Sequence, residues 1–243
     1  ISLGHNVTVV DIQWFGNYLM LRNNLIVKKI DIRDYQKIPL KGVDAVIHLA
    51  SVANDPSVEL NTKLSWEVNV LATQKLVENS VKNKVKQFIF ASSGSVYGVK
   101  EEEEVTEELS LVPISTYNKT KMISERVLKS YENDIKIHCI RPATVCGFSP
   151  RMRLDVTVNM FAFQALKFKS ISIFGGQQIR PNIHIKDLTN VYKHFISNPN
   201  LPSGFYNAGF ENLKVIDIAK KVTKIIPANI IIRKNIDQRS YRQ

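Results

Sequence analysis

Five short apolar runs, rich in Val and Ile and closed by polar or charged residues, constrain this chain more than any other feature: NVTVVD, NLIVKKIDIRD, DAVIHLA, KQFIFASS and IKIHCIRP. Runs of that length and make-up read as buried parallel strands. Between the third and fourth, from about Val58 to Lys84, the residues Leu64, Trp66, Val68, Val70, Leu71, Leu76 and Val77 recur mostly at helical spacing. A second helical segment runs from Tyr117 to Tyr131, with Met122, Ile123, Val127 and Leu128 on one face. Strands alternating with helices predict an α/β fold with a doubly wound parallel sheet, in which ligands bind beyond the carboxyl ends of the strands.

Past Arg141 the elements shorten: a helix near Asp155 to Phe168, a strand at SISIF, a helix after Asp187, a strand at FYNAG, a helix around Val215 to Ile225 and a strand at NIIIRK. This stretch reads as a smaller appended lobe, so the expected division is residues 1–150 and residues 151–243. With 44% hydrophobic and 23% charged residues, the 243-residue chain can bury a sizeable core. No run of eighteen or more apolar residues occurs, and the opening ISLGHNVTVVD carries neither a basic region nor a cleavage pattern. A soluble, cytoplasmic protein with no membrane partner is expected. Cys139 and Cys146 are too few for a disulfide framework or a four-thiolate metal site, and no metal is implied. The net charge of +11 favours polyanions or phosphorylated small molecules. Its lysines are scattered, without an aromatic-and-basic ribbon or zinc pattern, which speaks for a solvated surface with a few cations aimed at a phosphorylated ligand rather than for nucleic acid. Glu101 to Glu104 read as a solvated loop.

Polar residues close four successive strands. Asp11 ends the first, where a carboxylate can accept both hydroxyls of an adenosine ribose. Asp31-Ile32-Arg33-Asp34 follows the second, His48-Leu49-Ala50-Ser51 the third, and Ser92-Ser93-Gly94-Ser95-Val96-Tyr97-Gly98 the fourth. The sharpest local signal is Tyr117-Asn118-Lys119-Thr120-Lys121, entered through Pro113 and Ser115. Four residues span about 6 Å of helix rise, so the Tyr117 phenol and the Lys121 ammonium share a face. A cation there stabilises phenolate and lowers the phenol pKa from about 10 towards neutrality, as a general base requires.

Together these motifs resemble the extended short-chain dehydrogenase/reductases of the NAD-dependent epimerase/dehydratase family, which act on nucleotide sugars. The resemblance runs through Asp11, DIRD, HLA, Asn69 in WEVNV, SSGSVYG, YNKTK, RPATVCG and GGQQIRPNIHIKDL. It implies a Rossmann-type domain over residues 1–150 and a substrate-binding lobe over 151–243. It also implies NAD as cofactor and a homodimer paired through the two long helical segments. Ser93 takes the place of the catalytic Ser or Thr, Tyr117 that of the acid/base, and Lys121 that of the lysine on the nicotinamide ribose. Asp11 would hold the adenosine ribose, Asp31 and Ile32 would flank the adenine, and Ala50 and Asn69 would line the cofactor channel. Arg180 matches the arginine that grips the substrate diphosphate, with Arg239 and Arg242 as further candidates for that clamp.

The chain also departs from the family pattern. No G-x-x-G-x-x-G or G-x-G-x-x-G occurs, and the opening resembles the segment just after the family's first helix. A truncated chain that holds NAD poorly is the expectation, because the pyrophosphate cradle is absent. Gly94 and Ser95 stand where 4,6-dehydratases carry Asp and Glu, and Ser95 also where 3,5-epimerases carry Cys; neither replacement can move a carbon-bound proton readily. Thr144 replaces an Asn that contacts diphosphate and is kept as a substrate-site candidate. Cys146 replaces a Tyr and reads as a small packed residue. His48 reads as a buried residue bonded to backbone, and His184 as a brace for the loop after Arg180.

What remains is chemistry that needs only a hydroxyl proton and a hydride: nucleotide-sugar epimerisation through a keto-sugar, at C4 by resemblance. Two other readings stay open, an NAD(P)-dependent reductase of a keto-sugar or small carbonyl, and a catalytically idle nucleotide-binding scaffold.

Overall fold

A computed structural model describes every residue except Ser2, Glu101, Glu103 and 234–243. The chain forms two compact units, one of Ile1–Ala91, Ser115–Cys139 and Asn198–Gly204, the other of Ser92–Ile114, Ile140–Ser197 and Phe205 onward.

In the first unit the five apolar runs become β1 (Val7–Asp11), β2 (Leu25–Lys29), β3 (Ala45–His48), β4 (Gln87–Ala91) and the start of β5 (Lys136–Pro142). β1 pairs with β2 and β3 with β4, both in parallel. Phe88, Ile89 and Phe90 are almost wholly buried, as a central strand covered on both faces demands. The segment expected as one helix from Val58 to Lys84 is α1 (Asp55–Leu60), α2 (Thr62–Trp66) and α3 (Ala72–Lys82), the last two joined by a π turn at Glu67–Leu71. Asn54 and Asn61 separate the starts of α1 and α2 by accepting the Ser57 and Leu64 N–H groups, both at 2.9 Å. The second expected helix is α4 (Thr116–Lys129), capped by Ser115, whose hydroxyl accepts the Asn118 N–H at 3.2 Å.

The second unit continues β5 through Ile140–Pro142 and adds β6 (Thr144–Cys146), α5 (Thr157–Phe168), β7 (Ser170–Phe174), β8 (Ile179–His184) and α6 (Ile185–Ser197). Most of β9 (Gly204–Ala208) comes next, then β10 (Glu211–Lys214), α7 (Val215–Ile225) and β11 (Asn229–Arg233). β11 lies parallel to β7, and β8 runs between β10 and β6. Phe161, Ala165, Ile171, Ile173, Val215, Ile218 and Ala219 make this unit's core. α5, β7, α6, β9, α7 and β11 correspond to the expected elements. β6, β8 and β10 were not expected: they are short or interrupted by Pro181 and polar residues, and their pairing is set by partners distant in sequence. Among the described residues no helix is long and apolar enough to cross a membrane.

Candidate active site

Helix α4 presents Tyr117 and Lys121 on one turn. The Lys121 side chain is buried, and its ammonium donates to the Ala91 carbonyl at 2.8 Å, at the end of β4. It lies 4.8 Å from the centre of the Phe90 ring and 5.8 Å from that of Tyr117. Burial pushes its pKa down to about 8, partly opposed by the charge of Glu125. Tyr117 is half-buried and packs with Ile32 against the cluster of Val52, Val58 and Val68. The first unit therefore brings Ile32 to the same apolar cluster as Tyr117, a residue far from it in the chain and one helical turn from Lys121.

Asn69 supports this arrangement from the middle of the π turn. Its side-chain oxygen accepts the Val52 N–H at 2.8 Å and the Ser51 hydroxyl at 3.0 Å. Its nitrogen donates to the Val52 carbonyl at 3.0 Å and to the Thr120 hydroxyl at 3.1 Å, so all four bonding positions of the amide are used. The Asn69 carbonyl, also in the π turn, accepts the Thr73 and Ser124 hydroxyls, each at 2.7 Å. Thr120 in turn donates to the Tyr117 carbonyl at 2.7 Å. One buried side chain thus joins the segment after β3 to the turn of α4 that carries Tyr117. Only the family resemblance flagged Asn69 in the sequence; its partners Thr73, Thr120 and Ser124 carried no signal there.

The other first-unit candidates lie at strand ends, as expected. Asp11 is exposed at the end of β1 and accepts the Gln13 N–H. Asp31 pairs with Arg33 at 2.7 Å, and Arg33 also reaches Glu67 at 3.2 Å. The Arg33 hydrogen bond is the largest influence holding the Asp31 carboxyl below its ordinary range. Arg33 stands within DIRD, where no local pattern assigns it a role. Ala50 is partly exposed next to Ser51. His48 is buried against Phe88 and Phe90, and its Nε2 meets the Thr73 hydroxyl at 2.8 Å, so its partner is a side chain rather than backbone. Burial, helped by the Lys121 charge, pushes its pKa down to about 3, which leaves the imidazole neutral.

Ser93, Thr144 and Arg180 belong to the second unit. Ser93 caps a short 3₁₀ turn, Gly94–Tyr97, by accepting the Ser95 N–H at 3.2 Å, and its hydroxyl lies 2.7 Å from that of Ser95. Thr144 stands opposite Asn182 in the β6–β8 register. Arg180 lies two residues before Asn182 on β8, so Thr144 and Arg180 share a face of that sheet. His184 accepts the Lys186 N–H at 3.3 Å and braces the chain beyond β8. Burial raises the Cys146 thiol pKa, as befits a packed residue. Arg239 and Arg242 lie outside the described residues. Among the described residues no cluster of His, Cys, Asp or Glu could hold a metal ion.

Known proteins extend the likeness from motifs to the whole fold. The model of the NAD dependent epimerase/dehydratase family matches residues 1–209. A Bacillus subtilis protein named as an uncharacterized UDP-glucose epimerase, YtcB, is 33% identical over 191 residues, covering 76% of this chain and 60% of that protein. A relative from Methanocaldococcus jannaschii is matched over 64% of its length, so the chain spans less than two thirds of these curated relatives. Two solved structures give the fold. The UDP-glucose 4-epimerase of Thermotoga maritima with UDP-glucose has a TM-score of 0.87 at 23% identity, covering 100% of this chain and 82% of that one. The NAD dependent NDP-hexosamine 5,6-dehydratase TunA has a TM-score of 0.87 at 22% identity, covering 100% of this chain and 80% of that one. The α/β fold is therefore of the Rossmann type. Because the family model extends across both units and most of the chain, the protein belongs to the NAD dependent epimerase/dehydratase family.

Proposed function

We propose that the protein is a nucleotide-sugar epimerase that works by hydride transfer through a keto-sugar, at C4. The observation that carries this reading is the pairing of Tyr117 with a buried Lys121 on one turn of α4, the ammonium 5.8 Å from the phenol ring centre. The relatives support a nucleotide sugar as substrate, and the family supports NAD as cofactor. The residues at hand suit NAD: Asp11 offers an exposed carboxylate for the adenosine ribose, Ile32 an apolar flank for the adenine, and Lys121 a cation for the nicotinamide ribose. Bound NAD supplies the acceptance and return of a hydride. Asp31 and Ala50 complete the cofactor side, and Asn69 shapes it from beneath. Residues 1–150 serve the cofactor and 151–243 the sugar nucleotide.

Tyr117, as phenolate, takes the proton of the sugar hydroxyl while Ser93 shares that hydrogen bond. The charge of Lys121 favours the phenolate. Arg180, aided by Thr144 and Arg239, holds the diphosphate so that the keto-sugar alone turns before its other face is reduced. Gly94 and Ser95 supply no carboxylate for removing water, which sets this reading apart from a dehydratase. A cytoplasmic homodimer completes the proposal. Tyr117→Phe tests it: turnover is expected to fall at least about 1,000-fold, with nucleotide-sugar affinity held within about twofold. Near-normal turnover in that variant removes Tyr117 as the base.

A further inference from the structure

We propose that Tyr97 and Arg141 are positioning residues that hold the Ser93 hydroxyl through the turn that carries it; the catalytic half of this inference rests on the epimerase reading above. The turn has little strength of its own. The backbone bonds at its two ends, Val96 N–H to the Ser93 carbonyl and Gly98 N–H to the Ser95 carbonyl, are both 3.2 Å, and 3₁₀ geometry is the weaker helical form. Gly98 ends it at φ +71°, where an added Cβ would sit 2.1 Å from the Val112 carbonyl oxygen, so only glycine fits there.

Tyr97, the last residue of the turn, is buried, and its hydroxyl has two strong partners. It accepts from Arg141 Nη1 at 2.7 Å and donates to Asn207 Oδ1 at 2.8 Å. The roles are set because a guanidinium only donates, and the bond from the Asn207 amide nitrogen to the Val105 carbonyl at 2.8 Å turns the amide oxygen, an acceptor, towards Tyr97. Arg141 is buried as well, its guanidinium carbon 4.9 Å from the centre of the Tyr97 ring and 4.5 Å from that of Phe205. It also reaches the Glu107 carbonyl at 3.4 Å, while the Glu107 carboxylate accepts the Asn207 N–H at 2.6 Å. Tyr97, Asn207, Glu107 and Arg141 therefore close a ring of hydrogen bonds around the end of the turn. Ser93 and Ser95 face each other at its start, so the direction of the Ser93 hydroxyl depends on where this ring holds the turn.

Tyr97→Phe keeps the aromatic side chain and removes both hydroxyl bonds. Amide exchange at Ser95 and Gly98 is expected to rise about tenfold, and kcat to fall about tenfold with KM unchanged. In a Ser93→Ala background the same substitution should change kcat by less than about twofold, because its effect runs through Ser93. Arg141→Lys, which keeps a donor for Tyr97, should recover part of the activity lost in Arg141→Met. Asn207→Ala removes one of the two Tyr97 hydroxyl bonds, together with the bond to the Val105 carbonyl, and leaves Arg141 its acceptor, so a smaller effect in the same direction is expected if Tyr97→Phe folds poorly. Unchanged exchange in Tyr97→Phe overturns the latch, whatever the activity. Equal loss of kcat with and without the Ser93 hydroxyl overturns the route through Ser93. If exchange rises but the wild type turns over no nucleotide sugar, the latch stands and the epimerase reading fails.

Discussion

Lys121 in the first unit and Arg141 in the second are both 3% exposed, and each sits against two aromatic rings, yet they are different devices. Lys121 is held by one carbonyl, and burial has pushed its pKa down to about 8, within reach of the working pH. Arg141 stays charged at any pH a protein survives, and its planar fork is fixed by the Tyr97 hydroxyl and the Glu107 carbonyl. The lysine is suited to responding to charge that develops on Tyr117, while the arginine is suited to keeping a turn still. Burial of a cation by itself therefore says little about its role, and the bonds it makes decide.

The largest expected difference between the two is in turnover. Lys121→Met should cut turnover about 100-fold or more, whereas Arg141→Met, which acts only through a turn, should cost about tenfold. Equal losses measured side by side in steady-state kinetics would break the distinction.

The next effect is on stability. The folded pKa of Lys121, about 8, lies below its ordinary 10.5, so between these pH values the unfolded chain binds more protons. Stability therefore rises with pH across that window, by up to about 3 kcal/mol, and the full penalty is present below pH 8. Denaturant melts should show this rise in the wild type and in Arg141→Met, and should miss it in Lys121→Met. A rise that persists in Lys121→Met assigns it to another group.

These cations were unequally legible in the sequence. Tyr117 and Lys121 lie one helical turn apart, and a short-range spacing places them together without knowledge of the fold. Arg141 meets partners 44 residues away at Tyr97 and 34 away at Glu107, and no local pattern records that. The same reason explains the strands. β4 and β5 carry the burial expected of the apolar runs, β1 and β2 hold only half-buried and exposed residues although they read as buried strands, and β6, β8 and β10 are half-polar segments defined by their neighbours. The π turn was hidden because Asn69, Thr73 and Ser124 look like ordinary polar residues on helices, and the meeting of the two hydroxyls at one carbonyl leaves no local pattern.

The smallest effect sharpens the contrast between local and long-range order in the first unit. Asn69→Ala removes four side-chain bonds that join Val52, Ser51 and Thr120, and should lower stability by about 2 kcal/mol, read from thermal melts. A loss no larger than that of an exposed Asn→Ala substitution would remove Asn69 as the tie between the segment after β3 and α4.

The central claim is tested most directly by proton NMR of the protein in D₂O with NAD and a panel of UDP-, GDP-, CDP- and dTDP-sugars. A new anomeric signal from one sugar is expected, with no deuterium at any carbon and no net change at the reduced-nicotinamide absorbance band. Deuterium entering a carbon position, or loss of water from the sugar, would contradict it, since both require the carbon-bound proton chemistry that Gly94 and Ser95 are unequipped to perform.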